Sequence, residues 1–297
     1  MIATSFYKGQ GFGNQLWAYA VTRSIALHNG YQFGIAQPNM FKGKKFLNLD
    51  FGQTVNIQKL KGPLLRPPSG FEHYYKEKQV FHPKYGCDIT DFDEGLFAVK
   101  DHTFIDGYMQ NESYILPIKD KLCEWFSAKG EVYDGCTISL RGGEYRNVKT
   151  LFLSKKYYDD AIKSMLDIDP KIKFRVVTDD VLLAHEYFPR LPVISSGGVK
   201  IYGRGRWYRS PDSLKIGQDF SSIQNSRYLI LSNSSFSWWG AWTNKNVERV
   251  ISPKYWAEFN RSDGYWSQGG ALTIGWEWLD RNGNIFSWQQ CHDEMKN

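Results

Sequence analysis

Short apolar runs alternate with longer segments of helical period along most of this chain. Ile2 to Phe6 predicts a first strand, followed by a glycine-rich turn over Lys8 to Gln15. A helix is expected from about Gln15 to His28, because Trp17, Val21 and Ile25 step by four, as do Leu16 and Ala20. Asn29-Gly30 is a stop signal, and Tyr31 to Ile35 reads as the next strand, giving a βαβ opening. Residues 36–100 carry no clear period; Pro63, Pro67 and Pro68 mark loops there, and Lys42, Lys44 and Lys45 read as a solvated face. His102 to Ile105 predicts a strand, and a helix from about Leu116 places Ile118, Leu122, Trp125 and Phe126 on one face. Ser127 to Asp134 reads as a domain boundary.

The second half is more regular. Strands are predicted at Thr137 to Leu140, Phe174 to Val177, Val193-Ile194, Tyr228 to Leu231 and Val250-Ile251. Helices are predicted between them: one capped by Ser154 with Tyr158, Ile162 and Met165 inward, one carrying Leu182, Leu183 and Tyr187, one beginning at Asp219-Phe220, and one across Phe236 to Trp242. This alternation implies an α/β fold with parallel sheets, whose ligands sit beyond the carboxyl ends of the strands. Arg141, Thr178-Asp179 and Ser234-Ser235 each lie just past a predicted strand, so all three can line one crevice.

Composition narrows the chemistry. The chain has 297 residues, enough for two domains, and a net charge of +6, too mild to argue for nucleic-acid binding but suited to an anionic ligand. Its 11 Trp, 18 Tyr and 19 Phe build cores and also stack on sugars. The four cysteines, Cys87, Cys123, Cys136 and Cys291, form no metal or disulfide pattern and read as free thiols. No signal peptide or membrane span is visible, which suggests a soluble cytoplasmic protein and leaves peripheral contact with the membrane's inner face open. Gly9, Gly11 and Gly13 are spaced G-x-G-x-G, which does not fit a dinucleotide fingerprint and is read instead as a turn allowing close backbone approach. Asp91-Phe92-Asp93 matches the D-x-D pattern of metal-dependent sugar transferases but reads as a surface loop.

An arginine beside open backbone suits a phosphate, and serine hydroxyls with the free N–H groups of a helix start would complete a diphosphate cradle. Asp219 can accept from a base N–H. These are the elements of a nucleotide-sugar donor site in which positive groups stabilise the departing diphosphate. A salt bridge from Arg141 to Glu144 or Asp179 is the competing reading.

At this point the motifs resemble the α-1,2-fucosyltransferases of glycosyltransferase family 11. Gly11-Phe12-Gly13-Asn14-Gln15-Leu16 with Tyr19-Ala20 is similar to the family's G-L-G-N-Q-M/L…Y-A. Gly107 to Glu112 is similar to G-Y-W-Q-S-E, Thr178-Asp179-Asp180 to F-S-D-D, and Ser232 to Trp242 to A-N-S-S-F-S-W-W-G-A-W. The resemblance implies a GT-B architecture: an N-terminal acceptor-side Rossmann-like domain over 1–130, a GDP-sugar domain over 131–275, and a 276–297 tail that can pack back on the first domain. It implies GDP-fucose as donor, a glycan acceptor that can be lipid-linked, inversion at the sugar, and no metal or other cofactor. It would place Arg141 on the diphosphate with Glu144 beside it, Ser234, Ser235, Phe236, Thr178 and Asp179 around the donor, and Asp219 near the guanine. Gly13, Asn14 and Gln15 would face the ligand from the first domain.

The family's H-x-R-R-G-D-Y stands here as Ser139-Leu140-Arg141-Gly142-Gly143-Glu144-Tyr145, so one of two arginines is kept and the second is Gly142. Arg146 or an arginine of the Arg204, Arg206, Arg209 loop can compensate. The general base is open among Glu144, Asp106 and Glu112, with a role in orienting Arg141 the alternative for Glu144. Transfer of another sugar, and a binding protein without catalysis, are the competing functions.

Overall fold

The computed structural model describes residues 1–57, 68–82, 87–90, 92–195, 199–202, 206–209, 213–260 and 272–296; for 79–82, 87–90, 199–202, 206–209, 213–214 and 296 it describes the backbone only. The chain divides into two units, the first running from Met1 to Phe126 and the second beginning at Ser127.

In the first unit β1 (Ile2–Ser5), α1 (Phe12–Asn29) and β2 (Phe33–Ala36) form the expected βαβ opening. Next come β3 (His73–Lys76), the antiparallel pair β4 (Gln79–His82) and β5 (Cys87–Thr90), β6 (Thr103–Asp106) and α2 (Lys119–Trp125). The main sheet has the order β2-β1-β6-β3, with every pairing parallel. Helix α1 starts at Phe12, so Gly13, Asn14 and Gln15 lie in its first turn, not in the preceding loop. It is buried almost all round, from Leu16 and Ala20 to Ile25, as befits a helix whose apolar positions are not confined to one stripe. Tyr19 meets the edges or faces of Phe33, Phe51, Trp125 and Phe126, and the Arg23 guanidinium lies over Phe33 at 4.0 Å and Trp125 at 4.3 Å. Gly9 and Gly11 serve no close approach among the described residues: a Cβ at either would meet none of their atoms within 4 Å.

The second unit continues with β7 (Tyr133–Leu140), α3 (Lys155–Leu166), β8 (Phe174–Thr178), α4 (Val181–Tyr187), β9 (Val199–Tyr202) and β10 (Arg206–Arg209). It ends with α5 (Ser213–Gln224), β11 (Ser226–Ile230), α6 (Ser235–Trp242), β12 (Arg249–Pro253), β13 (Glu277–Leu279), β14 (Ile285–Ser287) and α7 (Trp288–Lys296). Its sheet has the order β14-β13-β12-β11-β7-β8, parallel except for the β13–β14 pair. The segment from Leu272 onward therefore belongs to this unit by its own strand pairing. Val193 adds a single parallel bridge to Val176 where a short strand was predicted. Helix α5 begins at Ser213 and not at Asp219, so Asp219 is a mid-helix residue.

Ile138, Leu140, Tyr157, Tyr158, Met165, Val176, Ile230 and Ile251 fill the core on one face of this sheet. On α6, Trp238 stacks on Trp242 and Trp239 is completely buried, with ring centroids 5.0–5.5 Å apart. The aromatic run is a packing device. Gly240 lets α6 approach α5, since a Cβ there would lie 2.7 Å from Ile223 Cγ2. Cys123, Cys136 and Cys291 are free and buried. No described helix is long and apolar enough to cross a membrane.

Candidate active site

β11, β7 and β8 are neighbours, and their carboxyl ends are level: Ile230 pairs with Ile138, and Leu140 with Thr178. The three segments singled out in the sequence therefore leave one sheet edge side by side. Ser232 follows β11, Arg141 follows β7, and Asp179 follows β8. Ser139 and Ser232 are 3.4 Å apart between hydroxyl oxygens, both buried.

Arg141 is 27% exposed and anchored on two carboxylates. Its Nη1 donates to Asp179 Oδ2, its Nη2 donates to Glu144 Oε1 at 2.8 Å, and the guanidinium lies 4.8 Å over the Tyr145 ring. Burial pulls its pKa down, but the charges of Asp179, Tyr145 and Glu144 outweigh burial and hold it above the usual arginine range. The two carboxylates differ. Asp179 is 8% exposed and also accepts from Gly142 N at 2.9 Å, whereas Glu144 is 77% exposed. Asp179 is thus a fixed part of the loop and Glu144 a partner that an incoming anion can replace.

The turn after Arg141 explains why Gly142 stands where the resembled family has arginine. A Cβ there would lie 2.5 Å from Asp180 Cβ. Asp180 is buried and caps α4 through Leu183 N at 3.0 Å, while its other oxygen accepts from Gly143 N at 3.2 Å. Arg146 is directed to the same aspartate, 3.5 Å from Asp180 Oδ2, and lies 3.6 Å from Glu186. Arg204 lies outside the described residues, and of Arg206 and Arg209 only the backbone is described; β10 runs alongside the 143–147 turn.

On the serine segment, Ser234 occupies the N-cap of α6, is half-buried, and its hydroxyl makes no hydrogen bond among the described residues. Ser235 and Phe236, also half-buried, form the first turn of α6. Asn233, 1% exposed, donates to Leu151 O at 2.8 Å and Trp256 O at 2.6 Å, and the Tyr157 hydroxyl donates to Leu231 O at 2.6 Å. Asn233, which the sequence placed in the serine motif without a role, and Tyr157, which it did not mark, fix the serine turn from both sides. Phe236 meets the Phe220 ring edge-on at 5.8 Å, and the adjacent Asp219 is 2% exposed.

Other expected ligand residues are committed within the protein. Thr178 is buried; its hydroxyl accepts from Asp180 N at 2.9 Å and its backbone N–H donates to Ser195 Oγ at 2.7 Å, so it shapes the loop. Gln15, expected to face the ligand, is fully buried: its Nε2 donates to Met40 O and its Oε1 accepts from Lys42 N, both at 2.9 Å. Its amide thereby satisfies two backbone groups of the segment that follows β2. Gly13 is buried beside it in α1. Asn14 is half-buried and its Oδ1 accepts from Gln110 Nε2 at 2.8 Å, joining the two family-like motifs of the first unit. Glu112 is 7% exposed.

Of the D-x-D pattern, Asp91 lies outside the described residues. Asp93 caps a short 3₁₀ turn: it accepts from Gly95 N at 3.0 Å, Tyr75 at 2.6 Å and Lys78 at 2.7 Å, and the lysine bond leads in holding its carboxyl below the usual range. Among the described residues no group of three His, Cys, Asp or Glu is placed to hold a metal ion.

No family model matches the chain. An alpha-1,2-colitosyltransferase of Escherichia coli is 29% identical over 170 residues, which cover 51% of this chain and 55% of that protein. The O-antigen biosynthesis glycosyltransferase WbnK of Escherichia coli is 22% identical over 304 residues, covering 83% of this chain and 92% of that protein. The chain is a relative of these glycosyltransferases. The resemblance drawn from the motifs is borne out at that level, as kinship with glycosyltransferases. The match spans about half the length of the colitosyltransferase. Among solved structures, fucosyltransferase NodZ from Bradyrhizobium aligns with a TM-score of 0.45 at 14% identity, over 85% of this chain and 94% of that one.

Proposed function

We propose that the chain is a GT-B glycosyltransferase that binds a GDP-sugar on its second unit and transfers the sugar, with inversion and without a metal requirement, to a hydroxyl of a glycan. The preferred donor is GDP-fucose and the preferred acceptor position a 2-hydroxyl of a galactose-type residue. One observation carries this reading: Arg141, the Ser234–Ser235 helix start and the Asp179 loop leave three adjacent parallel strands at one edge. Arg141 would take the diphosphate, Ser234 with the first N–H groups of α6 a phosphate, and Phe236 and Asp219 the base side. Thr178 and Asp179 act by shaping and orienting, Asp179 through Arg141.

A second reading is supported by the colitosyltransferase relative together with the altered 139–145 segment: another GDP-linked deoxy sugar in place of fucose. Calorimetric titration with GDP, GDP-fucose, GDP-mannose and UDP-galactose, each with and without EDTA, tests both. GDP and GDP-fucose are expected to bind alike in EDTA. Binding of GDP with rejection of GDP-fucose selects the second reading, and failure of every nucleotide to bind overturns the proposal.

Glu144 supplies a sharper check. As the exposed partner of Arg141 it competes with phosphate for Nη2. Glu144→Gln is expected to tighten GDP binding about five-fold, the scale of one exposed ion pair, and to leave turnover within about ten-fold. A loss of turnover by a factor of about a hundred or more would instead make Glu144 the general base.

A further inference from the structure

Lys254 is the first residue past β12, the strand beside β11 on the edge where the serine turn emerges. Its side chain is 6% exposed, so the ammonium has given up most of its water and needs a partner within the protein. Glu294 of α7 supplies one. Its Oε2 lies 2.6 Å from Lys254 Nζ, and its Oε1 accepts from the Tyr255 hydroxyl at 2.8 Å. The Phe286 ring of β14 lies 3.5 Å from the same ammonium. One carboxylate of the last helix thus grips two successive residues of the 254–260 segment. Lys254 N is already pinned to Leu279 O at 2.8 Å, so what Glu294 adds is the placing of the chain just beyond it.

That chain leads straight to the serine turn. Trp256 O accepts from Asn233 Nδ2 at 2.6 Å, and Leu151 O accepts from the same nitrogen at 2.8 Å. The two accepting segments are tied to each other: Glu258 N donates to Thr150 O at 2.5 Å, and Asn260 Nδ2 donates to Phe152 O at 2.8 Å. Asn233 is 1% exposed, so an amide hydrogen whose carbonyl moves away has no water to turn to. Asn233 directly precedes Ser234 and Ser235, and its placing therefore sets where α6 begins.

We propose that Glu294 is a positioning residue for the donor site, acting through Lys254, Tyr255 and Trp256 O on Asn233 and so on the Ser234–Ser235 turn. The inference rests on the donor reading above. It gives α7 a task besides covering the sheet: the last helix holds the phosphate-binding turn in place without touching the ligand, and the whole path lies within the second unit.

The test is a double-mutant cycle read by calorimetric GDP binding to the full chain, with a thermal melt of each variant. Glu294→Ala is expected to weaken GDP binding about ten-fold and Asn233→Ser by a similar factor, while the double variant also loses about ten-fold and not about a hundred-fold, because both changes release the same turn. Glu294→Gln is expected to stay within about three-fold of wild type, since its amide oxygen accepts from Lys254 and its amide nitrogen donates to the Tyr255 hydroxyl oxygen. Should Glu294→Ala fail to fold, Tyr255→Phe takes its place in the cycle, with an expected loss of about three-fold. A lowered melting temperature with unchanged GDP affinity makes the Glu294 contact a matter of stability alone, and additive losses in the double variant break the path through Asn233. Either result overturns the inference and leaves the donor assignment standing. A wild-type chain that binds no nucleotide overturns the donor reading, and this inference with it.

Discussion

Arg141→Ala is expected to reduce turnover of the GDP-sugar about 10³-fold or more and to weaken GDP binding by at least ten-fold. The guanidinium is the one described cation at the β7 edge with a replaceable acidic partner, since Arg146 is directed to the buried Asp180. Loss of a preorganised donor aimed at a departing oxyanion costs about 10²–10³ in rate, and arginines that stabilise transferring phosphoryl groups contribute about 10³–10⁵. The variant also strands Asp179, 8% exposed, with Gly142 N as its remaining donor among the described residues, so some stability is lost too. Arg141→Lys separates the two effects. A lysine keeps the charge near Asp179 but loses the planar fork that spans two acceptors, so the fold should hold while turnover stays low. Steady-state kinetics with calorimetry and a thermal melt on both variants make the comparison. Near-normal turnover in Arg141→Ala would remove Arg141 from the site and the donor assignment with it.

Gly142→Arg, which restores the family-like pair of arginines, is expected to damage the protein and not improve it. Any Cβ at this position meets Asp180 Cβ at 2.5 Å and Leu183 Cδ2 at 2.9 Å. Displacing Asp180 breaks the cap on Leu183 N and the bond from Gly143 N. Overpacking costs about 1–3 kcal/mol and a lost cap about 1 kcal/mol, so a destabilisation of about 2–4 kcal/mol is expected. GDP affinity should fall despite the added positive charge, because the loop that orients Arg141 through Asp179 moves with it. An unchanged melting temperature with tighter GDP binding would show that the loop has room the geometry denies. The expected result also means that the departure at 142 is not a single substitution but part of a loop built differently around Asp180.

Much of the second unit was readable from the chain. Tyr228 to Leu231, Thr137 to Leu140 and Phe174 to Val177 are short apolar runs bounded by polar turns, and each became a strand of the parallel sheet. Arg141, Asp179 and Ser234 were marked by position alone, because in a parallel sheet residues after a strand share one edge. The aromatic run at 236–242 read as core, and Trp239 is fully buried. Residues 36–100 were not readable, and β3 was missed within them: His73–Lys76 is a strand because β6 offers a parallel edge about thirty residues away, and nothing in its own period says so. Asp219 was taken for a helix start, since an acidic residue before apolar positions looks like a cap, whereas α5 had begun at Ser213.

The sequence by itself determined the alternation of strands and helices, the edge on which the polar motifs emerge, and the kinship those motifs signal. These depend on local period and on the order of residues along the chain. Tertiary structure alone decided which strands are neighbours and which polar groups are already spent. Gln15 and Thr178 look like ligand residues in the chain but are committed to backbone groups, Glu144 and Asp179 both hold Arg141 but differ in burial, and Gly142 is dictated by Asp180. Each of these facts is a contact between residues far apart in sequence or a difference in solvent access, and neither quantity is written in the local pattern of a chain.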